Sequence, residues 1–307
     1  MTSTVAAVVV TYNRLELLKV CIEALHRQTR LPEAILVVNN GSTDGTEQWL
    51  ERQSGLLVFH QTNSGGAGGF HRGMIEACKR GYDWVWVMDD DGFPHPQSLA
   101  KLMAFPRMGP CILNSLVVAK ENPTRLAFSL RFNDHLITTL EEIEGLNAVF
   151  GSINPFNGTL IAREVFGKIG YPLKEMFIWG DETEFCLRAL HNGFPLITVT
   201  DSLFSHPSAK EVVNQDWNPE IIWRKYYGFR NHSLLLRSSR TRLYKLQYTK
   251  YMINELIQIY KYQKSMKRVK FLVALEAYLD ALTNNFNKKP YHIRSISRII
   301  SSRPKIN

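Results

Sequence analysis

The stretch Trp84-Val85-Trp86-Val87-Met88-Asp89-Asp90-Asp91 decides how this 307-residue chain is read. Five consecutive apolar residues rich in aromatic and β-branched types predict a buried strand. Three carboxylates at its end are not there for stability, because clustered like charge resists ionisation unless a cation neutralises it. The same grammar repeats upstream. Residues 4–10 read as a buried strand entering the turn Thr11-Tyr12-Asn13-Arg14, after which Leu15, Leu18, Ile22 and Leu25 follow at helical spacing. Residues 34–38 form a second strand running into Asn39-Asn40-Gly41-Ser42-Thr43-Asp44-Gly45, where Asp44 is placed to cap a helix and Glu47 to complete a capping box. A third strand near 56–59 leads to Asn63-Ser64-Gly65-Gly66-Ala67-Gly68-Gly69 and a helix over about 70–79. This alternation predicts an α/β protein with a parallel sheet, whose ligands gather beyond the carboxyl ends of the strands. The polar turns, the glycine run and the aspartate triplet all fall at those ends.

Downstream the rhythm weakens. Residues 110–150 read as a strand-rich insert with turns at Asn133-Asp134 and 141–145, and no chemistry is expected there. Order returns with a strand over 156–162, a short helix from Arg163, an acidic stretch at 181–184 opening a helix over 185–191, and a strand over 195–199. From about 215 the chain is aromatic and basic, with helical periodicity at Met252, Leu256, Ile259 and Tyr260, and at Phe271, Leu272, Leu275 and Leu279. The expected organisation is a nucleotide-binding domain over 1–214 and a basic helical extension over 215–307.

The composition, 45% hydrophobic and 21% charged, excludes a disordered or fibrous chain. The net charge of +9 is concentrated in residues 242–307, which hold 14 Lys and Arg against Glu255, Glu276 and Asp280. Such a tail suits anionic lipid or nucleic acid. Four cysteines without a CxxC pair suggest neither zinc nor a disulfide framework, and fit a reducing cytosol. The apolar run 5–10 has no basic flank and is too short for a signal or a span, so neither export nor membrane integration is expected.

In an extended segment side chains i and i+2 point the same way, so Asp89 and Asp91 can share one divalent ion while Asp90 faces elsewhere. Oxygen ligands suit Mn2+ or Mg2+, which commonly bridge to a diphosphate. A solvated acidic turn accounts less well for the triplet at that position. The glycine run lets backbone approach a ligand before a helix N-terminus, but it lacks the Lys-Ser/Thr of a P-loop and does not match GxGxxG; a flexible turn is its plain alternative. In Phe177-Ile178-Trp179-Gly180-Asp181-Glu182-Thr183-Glu184, two adjacent carboxylates precede a helix beside a Trp able to lie on a sugar face. Interaction with the helix dipole accounts for one acid; the other suits a general base. His206 alone is a structural or surface histidine, and with the triplet it becomes a third metal ligand.

In this order, the elements Val8-Val9-Val10-Thr11-Tyr12-Asn13-Arg14, Asn40-Gly41-Ser42-Thr43-Asp44-Gly45-Thr46, Asn63 with the glycine run, the triplet, and residues 179–188 resemble the family 2 glycosyltransferases. The resemblance spans roughly residues 4–235 and implies the GT-A fold, a Rossmann-like nucleotide-diphospho-sugar transferase domain. Residues 63–70 with the triplet and Tyr226-Tyr227-Gly228-Phe229-Arg230-Asn231 are most similar to the galactofuranosyltransferase and rhamnosyltransferase branch. The resemblance implies inversion by direct displacement at the anomeric carbon. Thr11, Tyr12, Arg14, Asn40 and Asp44 would surround the nucleoside; Asn63, Gly69 and Arg72 would take the ribose and diphosphate side, and Asp90 is grouped with these donor residues. Asp89, Asp91 and His206 would hold Mn2+ or Mg2+. Trp179 would meet the acceptor.

For the base, alignment on Leu187-Arg188 favours Glu182, with Asp181 as the alternative, since the family usually has Glu-Asp or Asp-Asp where this chain has Asp-Glu. A second departure, Asn39 where many relatives carry an aspartate facing the nucleotide base, leaves the uridine assignment open. The expected donor is UDP-galactofuranose, with dTDP-rhamnose as the alternative. The expected acceptor is a bacterial cell-surface polysaccharide such as O-antigen or capsule, or a lipid-linked glycan, met in the cytoplasm at the inner membrane face. Two readings of other classes compete. A nucleotidyltransferase is disfavoured because no basic, glycine-rich triphosphate loop follows the first strand; nucleic-acid binding by the tail is disfavoured because its Tyr and Leu spacing suits a packed or membrane-surface helix at least as well.

Overall fold

In the computed structural model, which describes residues 3–208 and 216–295, the first apolar run forms β1 (Val5–Thr11), every residue of it buried. A strand buried on both faces belongs inside a helix-covered sheet, and the chain supplies the cover. In order come α1 (Leu15–His26), β2 (Ala34–Asn39), α2 (Thr46–Leu50), β3 (Leu56–His60), α3 (Gly65–Lys79) and β4 (Trp84–Asp89). These strands pair in parallel in the order β3-β2-β1-β4. The register sets Thr11 opposite Asn39 and Val10 opposite Asp89, so the polar ends of three strands finish on one edge.

The sheet continues through β5 (Phe93–Pro94), β6 (Ile112–Ala119), β7 (Asn122–Phe132), β8 (His135–Thr139), β9 (Ala148–Phe150), β10 (Asn157–Ala162) and β11 (Leu196–His206), interspersed with α4 (Ser98–Ala104), α5 (Arg163–Ile169) and α6 (Asp181–His191). Beyond β4 the order is β10-β6-β11-β5. The expectation of a parallel sheet holds throughout its first half and again for β6 with β11, but β10 runs antiparallel to both β4 and β6. It follows the hairpin-rich insert rather than a helical crossover, so nothing obliges it to run parallel.

The glycine run departs from its expectation as a turn, because Gly65–Gly69 is the opening of α3 itself. A Cβ on Gly69 would sit inside van der Waals contact with Val10 Cγ1, and one on Gly73 against Val8 Cγ1. The glycines therefore let α3 lie close on β1. The capping box expected of Asp44 and Glu47 does not form, since Gly45 is the residue before α2 and no side chain caps it. Asp44 Oδ2 instead accepts from the backbone N–H of Leu15, the first residue of α1, and Oδ1 from Thr46. The acids at 181–184 lie inside α6 rather than ahead of it.

The described residues divide into two compact units, 3–174 with 188–208, and 175–187 with 216–295. The boundary expected at 214/215, and the tail residues Arg298, Arg303 and Lys305, lie outside the described residues. The second unit is built on α7 (Ile222–Ser238), α8 (Tyr244–Tyr262) and α9 (Lys267–Leu282) around Tyr226, Tyr227, Tyr248, Met252, Ile259 and Val273. Of the expected apolar stripes, Met252 and Ile259 are buried while Tyr260 is 74% exposed, and on α9 Phe271, Leu272 and Leu279 face outward. The buried face of α9 is Val269, Val273, Ala274, Ala277 and Ala281: small residues admit the neighbouring helices closely, and the largest apolar ones are left outside.

If α3 is held by its glycines, Gly69→Ala destabilises the fold by about 1–3 kcal/mol. Gly66→Ala, where a Cβ meets nothing, stabilises it by up to about 1 kcal/mol. Urea denaturation of both variants checks this, and equal effects would contradict it.

Candidate active site

The triplet sits where β4 leaves the sheet, and its members have different surroundings. Asp90 is buried; its Oδ2 accepts from Thr11 Oγ1 at 2.7 Å and its Oδ1 from Arg14 Nη1 at 3.1 Å. Asp91 Oδ2 takes the same guanidinium at 2.5 Å. Its Oδ1 is buried without an aligned hydrogen bond and lies 3.2 Å from His206 Nε2, an ionic contact. The chain brings those two side chains together through β5, which turns back so that Phe93 pairs with Ser205, the neighbour of His206. Gly92 makes the approach possible, for a Cβ there would strike the ring of Phe204.

Burial, and then the charges of Asp91 and Asp90, push the Asp89 carboxyl up to about 8. Burial likewise raises Asp90 against the pull of Thr11 and Arg14. At Asp91 burial is outweighed by His206 and Arg14, so its carboxyl is held below the usual range; at His206 burial is outweighed by Asp91, so the imidazole is raised. Carboxylate oxygens with one imidazole are a donor set that fits Mn2+ or Mg2+. Asp91 and His206 already converge. Among the described residues no three His, Cys, Asp or Glu side chains do so.

Several of the expected donor residues are held by hydrogen bonds at the strand ends, Asn40 N–H to the Thr11 carbonyl among them. Asn40 is buried, donating from Nδ2 to the Gly65 carbonyl and accepting from Gln61. Asn63 Oδ1 accepts from the Gly65 N–H. Asn13 adopts a left-handed backbone, φ 53°, and its side chain accepts from Thr43 N–H, which joins the first two turns. Tyr12 and Arg72 remain exposed; Arg72 pairs with Glu76 across one turn of α3. Two residues were not singled out by sequence. His60, ending β3, lies 3.2 Å from the Asn39 amide, and Gln61 bridges Asn40 and Ser64. Their only signal was their place at a strand end.

In the second unit, the run before α6 has a strained backbone. Phe177 and Trp179 have φ of 64°, and Gly180 has φ of 94°. A non-glycine residue in this region costs about 1–3 kcal/mol unless its surroundings hold it there. They do. The Asn231 amide on α7 reaches the carbonyls of Met176, Ile178 and Trp179 at 2.8–3.0 Å, and buried Arg230 donates to those of Glu175 and Met176. Trp179 is thereby displayed, 39% exposed, against Gly228. Asp181 is buried, Glu184 accepts from Ser238 at 2.7 Å, and Glu182 is half-buried.

Comparison with known proteins bears on the family and the fold. The model of the family described as "Glycosyl transferase family 2" matches residues 6–168. The galactofuranosyltransferase GlfT1 of Mycobacterium tuberculosis (strain CDC 1551 / Oshkosh) is 36% identical over 254 residues, 77% of this chain and 83% of that protein. The dTDP-rhamnosyl transferase RfbF of Shigella flexneri is 25% identical over 252 residues, 79% of this chain and 83% of that protein. Among solved structures, S. aureus TarS 1-349 in complex with UDP matches with a TM-score of 0.52, covering 96% of this chain and 88% of that one, at 15% identity, a likeness of fold.

Proposed function

The chain belongs to glycosyl transferase family 2 and has the GT-A fold, and from that premise we propose that it is an inverting, metal-dependent transferase moving galactofuranose from UDP-galactofuranose to an acceptor hydroxyl. The observation that supports the metal dependence is the pair Asp91 and His206, whose carboxylate Oδ1 and imidazole Nε2 converge to 3.2 Å beside two further carboxylates. These two are the proposed protein ligands, with Asp89 as the third acidic member beside them. When bound, the cation offsets charge developing on the leaving diphosphate. Arg14 and Thr11 hold Asp90 and Asp91 in place, while Tyr12 and Arg72 are exposed at the surface to meet the nucleotide, Arg72 from its pairing with Glu76. The similarity to GlfT1 favours galactofuranose; that to RfbF keeps dTDP-rhamnose as the second reading.

Glu182 is the proposed base that takes the acceptor hydroxyl's proton. Its partial exposure supports it over Asp181, which is buried. Trp179 is the proposed platform for the acceptor sugar.

Titration calorimetry of UDP and dTDP, each with and without Mn2+, tests the donor reading. We expect UDP binding that needs metal, is lost in Asp91→Ala and persists in Glu182→Gln, with the latter losing transfer by a hundredfold or more, about the size of a general-base contribution. Binding of neither nucleotide would reject the reading, and preference for dTDP would select the rhamnosyl alternative.

We also propose a peripheral contact with the inner membrane face, where a lipid-linked glycan acceptor would be met. No helix among the described residues is long and apolar enough to cross a membrane. On α8, however, Leu246, Ile253, Ile257 and Tyr260 recur at helical spacing and are 44–74% exposed, with exposed Lys250 and Lys261 among them. An apolar stripe with interleaved lysines suits an anionic lipid surface. Leu246→Glu with Ile257→Glu is expected to abolish sedimentation with phosphatidylglycerol vesicles while leaving UDP binding intact; unchanged sedimentation would count against the contact.

A further inference from the structure

Helix α7 carries two partly or wholly buried cations that are treated differently. Arg230 is fully buried and satisfied by the carbonyls of Glu175, Met176 and Phe286 and by the Asn231 side chain. Lys225 is half-buried and, among the described residues, has no carboxylate within ion-pair distance. Its ammonium instead lies 5.8 Å from the ring centroid of Trp179 and 5.3 Å from that of Trp217. Burial lowers the lysine, and the charge of Glu255 opposes this. Two indole faces compensate such a cation in part, and it retains donors for an anion.

Trp179, on which this ammonium rests, is the residue that the strained run displays. Its ring is set against Gly228, one turn along α7 from Lys225, where a Cβ would lie 3.2 Å from the indole. The backbone strain, the three-carbonyl clamp of Asn231 and the glycine all fix an exposed aromatic face with a cation at its edge.

Resting on the glycosyltransferase reading above, we infer that Trp179 and Lys225 form an acceptor subsite in which the indole stacks on the acceptor sugar and the ammonium receives a phosphate group carried by that acceptor. A lysine acts as a point charge with three movable donors, which suits the several oxygens of a phosphate. The phosphate can belong to a sugar phosphate or to a lipid phosphate, and the probes below separate these sources.

The test is titration of the full chain with octyl phosphate, glucose 1-phosphate and octyl glucoside, in the presence of saturating UDP and Mn2+, for the wild type, Lys225→Gln and Lys225→Arg. Removing the charged donor is expected to weaken at least one phosphate probe by about tenfold or more, with octyl glucoside and UDP binding unchanged and Lys225→Arg largely restored. Loss of octyl phosphate identifies a lipid phosphate, loss of glucose 1-phosphate a sugar phosphate. Equal binding of both phosphate probes by Lys225→Gln and the wild type would overturn the inference, as would an equal loss of octyl glucoside. Failure of the wild type to bind UDP would reject the donor reading instead, and the comparison of phosphate with neutral probe would still decide the role of Lys225.

Discussion

Three adjacent carboxylates at the end of a buried strand repel one another, and the edge of the sheet is arranged around answering them. Arg14 answers one charge by reaching both Asp90 and Asp91. Thr11 donates to Asp90, and His206 comes to Asp91 because β5 folds back onto β11. Without metal, burial keeps Asp89 protonated near neutrality and Asp91 favours the protonated form of His206. A site in that state is close to neutral. With Arg14 in place, the two remaining negative charges match the one divalent cation proposed above, whose binding would exchange the protons of Asp89 and His206 for the ion.

The second unit shows a different economy. Its central constraint is strain rather than charge: the residues before α6 adopt left-handed backbone because Asn231 and Arg230 take their carbonyls. The result is one acid buried, one accessible, and a tryptophan held open. The helices that carry this clamp pack through alanines and valines on α9, which leaves large apolar side chains outside and gives the unit an amphipathic surface.

Much of this was legible from residue order. The strands β1 to β4 were found by their unbroken apolar runs, and their polar ends by the turn residues that follow. The triplet and His206 are 115 positions apart in sequence between Asp91 and His206, yet their residue types nominated them as partners. What sequence could not give is direction and packing. An antiparallel β10 has the same apolar pattern as a parallel one. The glycines of α3 read as a turn because glycine is a poor helix former, and only the closeness of Val10 and Val8 explains their use. The stripe on α9 followed residue size, whereas the structure buries the smaller residues there; on α8 Met252 and Ile259 of the expected stripe are buried and Tyr260 is not. Gly92 has no local signal, His60 only its place at a strand end, and Asn231 only its place in the 226–231 motif; their contacts exist only once distant segments meet.

The exchange of two protons for one cation is measurable directly. Mn2+ titration of the wild type between pH 6 and 8.5, repeated in buffers of different ionisation enthalpy, gives both affinity and proton release. If the proposed site takes the cation on the deprotonated forms of Asp89 and His206, both raised, apparent affinity should climb with pH through this window and up to two protons should be released per ion near neutrality. Affinity independent of pH, with no proton released, would contradict the account of the triplet as a site neutralised by exchange.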